Sequence, residues 1–293
     1  MKLSTVCFLF VLVCGLTITI YFSVKIGLDM KEKKYKRRCQ EIVEKLRDKK
    51  EIVDNVFVNF PKYYINLDRS VERREKMEEE FRKYGIKNIE RVSACDGKKI
   101  DDLNKGDFGD VQFINQIGGK KKLEVAITCS HLKTIKKAWD RNLDSVLIIE
   151  DDVTFCLVPH WKINFETILK SIPEDADVIL LTHVRRESDK LLFNKRDIQS
   201  GAVCYLITKR GMEKVVKNFF RDGKIFLGKK SGLKNPVIDT GVWDYLNTYY
   251  VYPRMFPLDS LLFDSTHSKT IYNSIFSENH KILEHYYDEN QKE

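Results

Sequence analysis

Four residues, Val146-Leu147-Ile148-Ile149, run without a polar interruption and end in Glu150-Asp151-Asp152. This stretch limits the fold more than any other. A strand with one wet face alternates apolar and polar side chains, whereas a strand that is apolar at every position has both faces covered. Val178-Ile179-Leu180-Leu181 and Ala202 to Ile207 repeat the pattern, and Tyr63-Tyr64-Ile65-Asn66-Leu67 and Ile89 to Ala94 read as two further strands. The segments between them have helical spacing. Val125, Cys129, Leu132, Ile135 and Trp139 recur every three or four residues and predict a helix over Lys121 to Asn142. Asp68 and Ser70 are cap candidates for a charged helix that reaches Tyr84 and stops at Gly85. Further helices fill Trp161–Ile172 and Lys209–Phe220. Strands that alternate with helices predict an α/β fold, with mostly parallel central strands and helices flanking the sheet.

This domain is expected to begin near residue 59 and to run to 293. Ahead of it, Leu3 to Val24 is an uncharged run of about 22 residues, long enough to span a bilayer of roughly 30 Å. It is too long, and lacks the small-residue exit, for a cleaved signal peptide, so residues 1–24 read as a single transmembrane anchor. Residues 25–58 read as a charged helical stem, with Ile42, Leu46, Ile52 and Val53 as sparse apolar positions. Only Lys2 precedes the run, while Lys25, Lys31, Lys33, Lys34, Lys36, Arg37 and Arg38 follow it, an order that favours a cytosolic domain.

Charge narrows the function classes. The chain is formally +8, but residues 1–50 hold 12 Lys and Arg against 5 Asp and Glu, which leaves the remainder near +1. A broad nucleic-acid-binding surface is therefore not expected. None of the seven cysteines forms a Cys-x-x-Cys pair, so a zinc site is not expected either. Cys129, Cys156 and Cys204 sit among apolar residues and read as buried thiols, with room for one disulfide that the sequence does not assign.

The carboxylates after the buried strand carry the chemistry. Ligands of open α/β sheets bind at the carboxyl ends of strands. Three adjacent carboxylates there repel one another unless a positive group sits among them, and Mg²⁺ or Mn²⁺ takes oxygen ligands and bridges to phosphates. In an extended chain Glu150 and Asp152 face the same side and so share one ion. The alternative is a solvated acidic turn.

Several segments in order resemble glycosyltransferase family 25, which includes bacterial lipooligosaccharide galactosyltransferases and procollagen galactosyltransferases. They are Tyr64-Ile65-Asn66-Leu67-Asp68-Arg69-Ser70 with Arg73-Arg74, Arg91-Val92-Ser93-Ala94-Cys95-Asp96-Gly97, Glu124 to His131, Ile149-Glu150-Asp151-Asp152, Gly201 with Tyr205, and Pro236-Val237 with Asp239. The resemblance runs from Tyr64 to about Ser265, about two thirds of the chain. It implies a GT-A-type sheet, a UDP-sugar donor (galactose or glucose), and Mn²⁺ or Mg²⁺ bridging the diphosphate to Glu150 and Asp152, with Asp151 on the donor. It also implies a glycan or protein acceptor and a lumenal domain in the endoplasmic reticulum or Golgi, against the charge order around the anchor. The sequence departs from the family at Leu123 and Ala126, where small glycines are usual, and in the position of Cys129.

On this resemblance Asn66, Asp68, Arg69, Arg73, Asp96 and Gly97 fall on the donor. Asp68 suits ribose or uracil, and the guanidinium of Arg69 or Arg73 suits phosphate oxygens. Arg74 reads as an exposed helix position. Glu124, Ser130 and His131 share one helix and are expected near the substrate, with a satisfied core or capping role for His131 equally open. Asp239 is expected to be the base of an inverting transfer, with Asp244 as its rival among Trp243, Tyr245, Tyr249 and Tyr250. Those aromatics suit sugar stacking or core packing, and Tyr205 reads as core. Two other classes compete: a membrane-bound metal enzyme acting on phosphoesters, and an inactive transferase-fold tether.

Overall fold

The computed structural model describes residues 54–98, 119–161, 163–182, 192–195, 201–227, 235–252 and 254–257, with single positions 30, 37, 41 and 42 ahead of them. The anchor expected at 3–24 lies outside the described residues. Among the described residues no helix is long and apolar enough to cross a membrane.

In chain order the elements are α1 (Asn55–Asn59), β1 (Lys62–Asn66), α2 (Val71–Lys83), β2 (Ile89–Ser93), α3 (Gly119–Asp140), β3 (Ser145–Glu150), α4 (Phe165–Lys170), β4 (Val178–Leu180), β5 (Leu192–Lys195), β6 (Cys204–Thr208), α5 (Lys209–Phe219), the short pair β7 (Phe220–Arg221) and β8 (Lys224–Ile225), and β9 (Thr248–Tyr252). Seven strands form one sheet in the order β2-β1-β3-β6-β4-β9-β5.

The apolar runs are buried on both faces, as their composition requires. Val146 and Ile148 of β3 join Tyr63, Ile65, Tyr205 and Ile207 in a core beneath α3 and α5. Leu147 and Ile149 point the other way, to Tyr64, Leu206, Phe81 and Phe155. At the end of α2, Gly85 takes a φ of +62°, which a residue without a side chain adopts at no steric cost.

The strand directions correct the expectation of mostly parallel central strands. β1 runs parallel to β2 and to β3, and β4 runs parallel to β9. The central strand β6, however, is antiparallel to both β3 and β4, and β5 is antiparallel to β9. A two-sided apolar run shows that a strand is buried but not which way it points. A parallel return needs a crossover, usually a helix, and the described residues between β4 and β6 hold the strand β5 instead.

Helix α4 is shorter than the expected span of 161–172. Asn164 caps its start, its side-chain oxygen accepting from Thr167 N–H at 2.8 Å, and Pro173 steers Ile172 away from helical geometry. The folded unit also begins inside the expected stem. Asp54 caps α1, accepting from Phe57 N–H at 2.9 Å, and Phe57 is fully buried among Trp161, Phe165 and Phe256, with ring centroids at 5.0, 5.3 and 5.9 Å. Lys62 fastens the end of this helix. Its buried Nζ donates to the carbonyls of Phe60 at 2.7 Å and Val58 at 3.2 Å, and burial pushes its ammonium down to about 7 against the pull of Asp54.

Candidate active site

Because β1, β2 and β3 are parallel neighbours, their carboxyl ends come together. The register sets Asn66 beside Ser93 and Ile65 beside Glu150. A cleft of about 550 Å³ opens there, between these strand ends, the start of α2 and the first turns of α3. Arg69, Arg73, Asp96, Gly97, Ser130, His131, Glu150, Asp151 and Asp152 all line it. The sequence reading assigned each of these to the donor, the metal or the substrate. Its apolar wall, including Leu67, Val71 and Ile127, was not anticipated. Apolar residues at isolated positions carry no periodic signal.

The acidic triplet does not continue the strand. β3 ends at Glu150, and residues 151 and 152 form a turn. The alternation that paired Glu150 with Asp152 therefore does not extend past the strand. The two meet in the cleft because the chain turns back. Asp151 is committed internally, with Asn66 Nδ2 donating to Oδ2 at 2.6 Å and Arg73 to Oδ1 at 2.9 Å. Burial pushes its carboxyl up, and Arg73 and Asn66 oppose that. Asp152 has less support, the charge of Arg73 and its own backbone N–H only partly opposing the rise. Its Oδ1 is closed off from solvent without a hydrogen-bond partner. Burial, and then the charges of Glu150 and Asp151, push this carboxyl up to about 8. An orphaned buried carboxylate oxygen fits the oxygen donor set of a hard cation.

Among the described residues no three His, Cys, Asp or Glu side chains are placed to hold a metal ion. Glu150 and Asp152 are the residues that could hold an ion which takes one or two carboxylates from the protein and further oxygens from substrate phosphates.

Several expected contacts have internal roles. Asn66, buried beneath the cleft, donates to Asp151 and to Ser70 O at 3.1 Å, and accepts from Arg91 Nε at 3.0 Å. Arg91 was not expected in the site. Its signal was an arginine on a strand whose neighbouring strand end carries Asn66 and Asp68. Asp68 does not line the cleft. It is paired with Arg91, and Ser93 Oγ donates to it at 2.9 Å, while much of its side chain stays exposed. Arg69 Nε donates to Asp96 at 2.8 Å across the cleft rim. Ser130 Oγ donates to Ala126 O at 2.8 Å and accepts from Cys95 N–H at 2.9 Å, so it holds the β2 loop against α3. A methyl group on Gly97 would stand 2.8 Å from Leu123 Cδ2 and 3.2 Å from Ala126 Cβ. The close approach of loop and helix thus survives the departures at Leu123 and Ala126, because the glycine lies on the loop side.

His131 is almost fully buried, with Nε2 3.0 Å from Glu150 Oε1 and Nδ1 3.0 Å from Tyr205 OH. Glu124 does not line the cleft. Neither does Asp239, expected as the base. Its Oδ1 accepts from Gly201 N–H and Ala202 N–H, each at 3.0 Å. Burial pushes its carboxyl up, the N–H of Gly201 pulls it back, and Glu150 adds to the rise. This geometry makes Asp239 the clamp on the entry to β6. The aromatics beside Asp244 are also away from the cleft. Trp243 is buried edge-on to Tyr205 at 4.8 Å, Tyr250 is buried, and Tyr249 donates to Asp175 at 2.7 Å.

Residues 59–222, more than half of the chain, match the family model described as glycosyltransferase family 25 (LPS biosynthesis protein). A glycosyltransferase 25 family member of Aedes aegypti is 32% identical over 113 residues, 36% of this chain and 18% of that protein. One from Anopheles gambiae is 32% identical over 99 residues, 32% of this chain and 16% of that protein. A protein of Acanthamoeba polyphaga mimivirus that carries a glycosyltransferase name is 29% identical over 153 residues, 51% of this chain and 44% of its own length. The match thus covers less than half the length of each of these relatives.

Proposed function

Since this chain belongs to glycosyltransferase family 25, we propose that it moves a hexose, galactose or glucose, from a UDP-sugar to a glycan or protein acceptor in the cleft at the ends of β1, β2 and β3. One observation carries the reading. Three carboxylates, Glu150, Asp151 and Asp152, and two guanidinium groups, Arg69 and Arg73, converge at the ends of three parallel strands around about 550 Å³. A diphosphate brings negative charge and needs cations. A sugar and a base bring hydroxyls and a flat ring, which suit a half-polar, half-apolar cleft.

The roles follow from the placements. Arg69 and Arg73 bind and orient phosphate oxygens, with Arg73 held in position by Asp151. Leu67, Val71 and Ile127 form the wall on which a flat ring packs. Glu150 and Asp152 would hold Mn²⁺ or Mg²⁺, which when bound offsets charge on the departing diphosphate. The sheet with its site at the strand ends supports a GT-A-type reading.

Inversion at the anomeric carbon needs a carboxylate that takes the acceptor hydroxyl's proton. From its placement as a clamp, Asp239 is not expected to be that group. Asp239→Asn keeps an acceptor oxygen for both N–H groups and should retain turnover within a few-fold. A loss of about 10²-fold or more at unchanged donor affinity would restore it as the base.

The reading as a whole is tested by incubating the full-length chain with a panel of nucleotide sugars, with and without Mn²⁺, and measuring release of nucleotide. Metal-stimulated release from a UDP-hexose is expected. Cleavage of simple phosphoesters in its place would favour a phosphoesterase, and no turnover with any donor would favour a tether.

A further inference from the structure

The phenol of Tyr205 is a group that neither packing nor the donor site explains. It lies on β6 opposite Ile148 of β3, fully buried between the apolar Cys204 and Leu206 and edge-on to Trp243. A phenylalanine would fill the same volume. The hydroxyl, however, meets His131 Nδ1 at 3.0 Å, and the far side of that ring meets Glu150 Oε1 at 3.0 Å. A continuous line thus runs from the middle of the sheet through a buried helix residue to a carboxylate at the cleft.

With Glu150 ionised and the imidazole neutral, the direction of each hydrogen bond in that line follows. An ionised carboxylate only accepts, so the hydrogen between His131 and Glu150 belongs to Nε2. A neutral imidazole with its hydrogen on Nε2 has a bare Nδ1, which accepts, so Tyr205 donates. The phenol is well suited to that. Burial first, and then the charge of Glu150, hold it far above its ordinary value and therefore protonated. The opposite tautomer would set the lone pair of Nε2 against that of Oε1 and make the phenol the acceptor from Nδ1–H. All three members stand on regular elements, β6, α3 and the end of β3, so the line is rigid.

We propose that Tyr205 is a positioning residue: by donating to Nδ1 it holds His131 in the Nε2–H tautomer, and through that ring it fixes the Glu150 carboxylate at the cleft. The line is a second layer behind a residue that faces the substrate, and it gives the central strand a part in the reaction.

The test has two arms. In the first, the full-length chain carries ¹⁵N-labelled histidine, and the tautomer of His131 is read from long-range proton–nitrogen correlations, with His131→Gln identifying the signal. The wild type should show hydrogen on Nε2 alone, and Tyr205→Phe should show a mixture. Hydrogen on Nδ1, or an imidazolium at neutral pH, in the wild type would overturn the proposal. This arm needs no substrate, so it decides the proposal even if the transferase reading fails or if Tyr205→Phe does not fold.

The second arm rests on the transferase reading. Tyr205→Phe should lower kcat/KM by roughly 10- to 100-fold, as loss of a second-layer partner does. The same substitution made in a His131→Gln background should add little further loss, because its route to the cleft is already cut. An equal fold-loss in both backgrounds would show that Tyr205 does not act through His131, and the proposal would fall.

Discussion

At the scale of single residues, Asp152 is the most exposed to test. Its carboxyl stands near 8 in the folded chain against an ordinary value of 3.8. Between those two values the folded chain holds a proton that the unfolded chain has lost. Stability therefore falls as pH rises through that window, and the effect is flat below and above it. Asp152→Asn removes the charge and keeps the shape. In metal-free protein it should melt with the wild type near pH 4 and above it at pH 8, by a free energy with a ceiling of about 5 kcal/mol. Added Mn²⁺ should narrow the gap, since it stabilises only the wild type, and transfer by the variant should be lost. Equal melting at pH 8 would mean that the orphaned oxygen costs the fold nothing. The triplet itself was legible, because carboxylates after a buried strand are a local pattern. The inequality among its members was not. Asp151 is hydrogen-bonded by Arg73 and Asn66, which lie 78 and 85 residues away along the chain, and only the fold brings them together. For the same reason Asp239 read as a base: an aspartate after two apolar residues looks alike whether it faces a cleft or clamps a loop.

At the scale of elements, α1 shows where a short helix is decided by tertiary packing. Five residues do not make a stable helix in isolation. Asp54, Phe57 and Lys62 secure this one through a cap, an aromatic cluster and a buried ammonium. Phe57→Ala should therefore cost about 3–5 kcal/mol, read as a lower denaturant midpoint at unchanged slope. A chain beginning at residue 60 should lose the same contacts and fold poorly, whereas one beginning at residue 26 should fold. Equal stability of the two would return α1 to the stem. The longer elements were legible because their signals are periodic: α3, α5 and the three apolar runs each fall within a few residues of the expected span. Strand β9 was not, since Thr-Tyr-Tyr-Val-Tyr reads equally as a sugar platform or as sheet. The direction of β6 was also hidden, because burial on two faces is the same for either direction.

At the scale of the whole molecule, charge and thiols bear on where such a domain works. Nearly all of the net positive charge falls in residues 1–50, and the rest of the chain is close to neutral. Attachment to membranes should then depend on the apolar run at 3–24 rather than on electrostatics. A full-length chain should remain with membranes through high-salt and alkaline washes, while a chain beginning at residue 26 should be released. Release of the full-length chain by salt alone would reduce the run to a surface attachment. Orientation sets two forces against each other. Seven cations from Lys25 to Arg38 favour a cytosolic domain, and the family resemblance favours the lumen. Cys129, Cys156 and Cys204 are buried, with the Cys204 thiol pushed well up by that burial, and Cys95 is only partly exposed. We expect the domain to resist protease in sealed microsomes and to be cut once detergent is added. Digestion without detergent would show that the basic stem sets the orientation. The transfer reaction would then have to draw on cytosolic donor and acceptor.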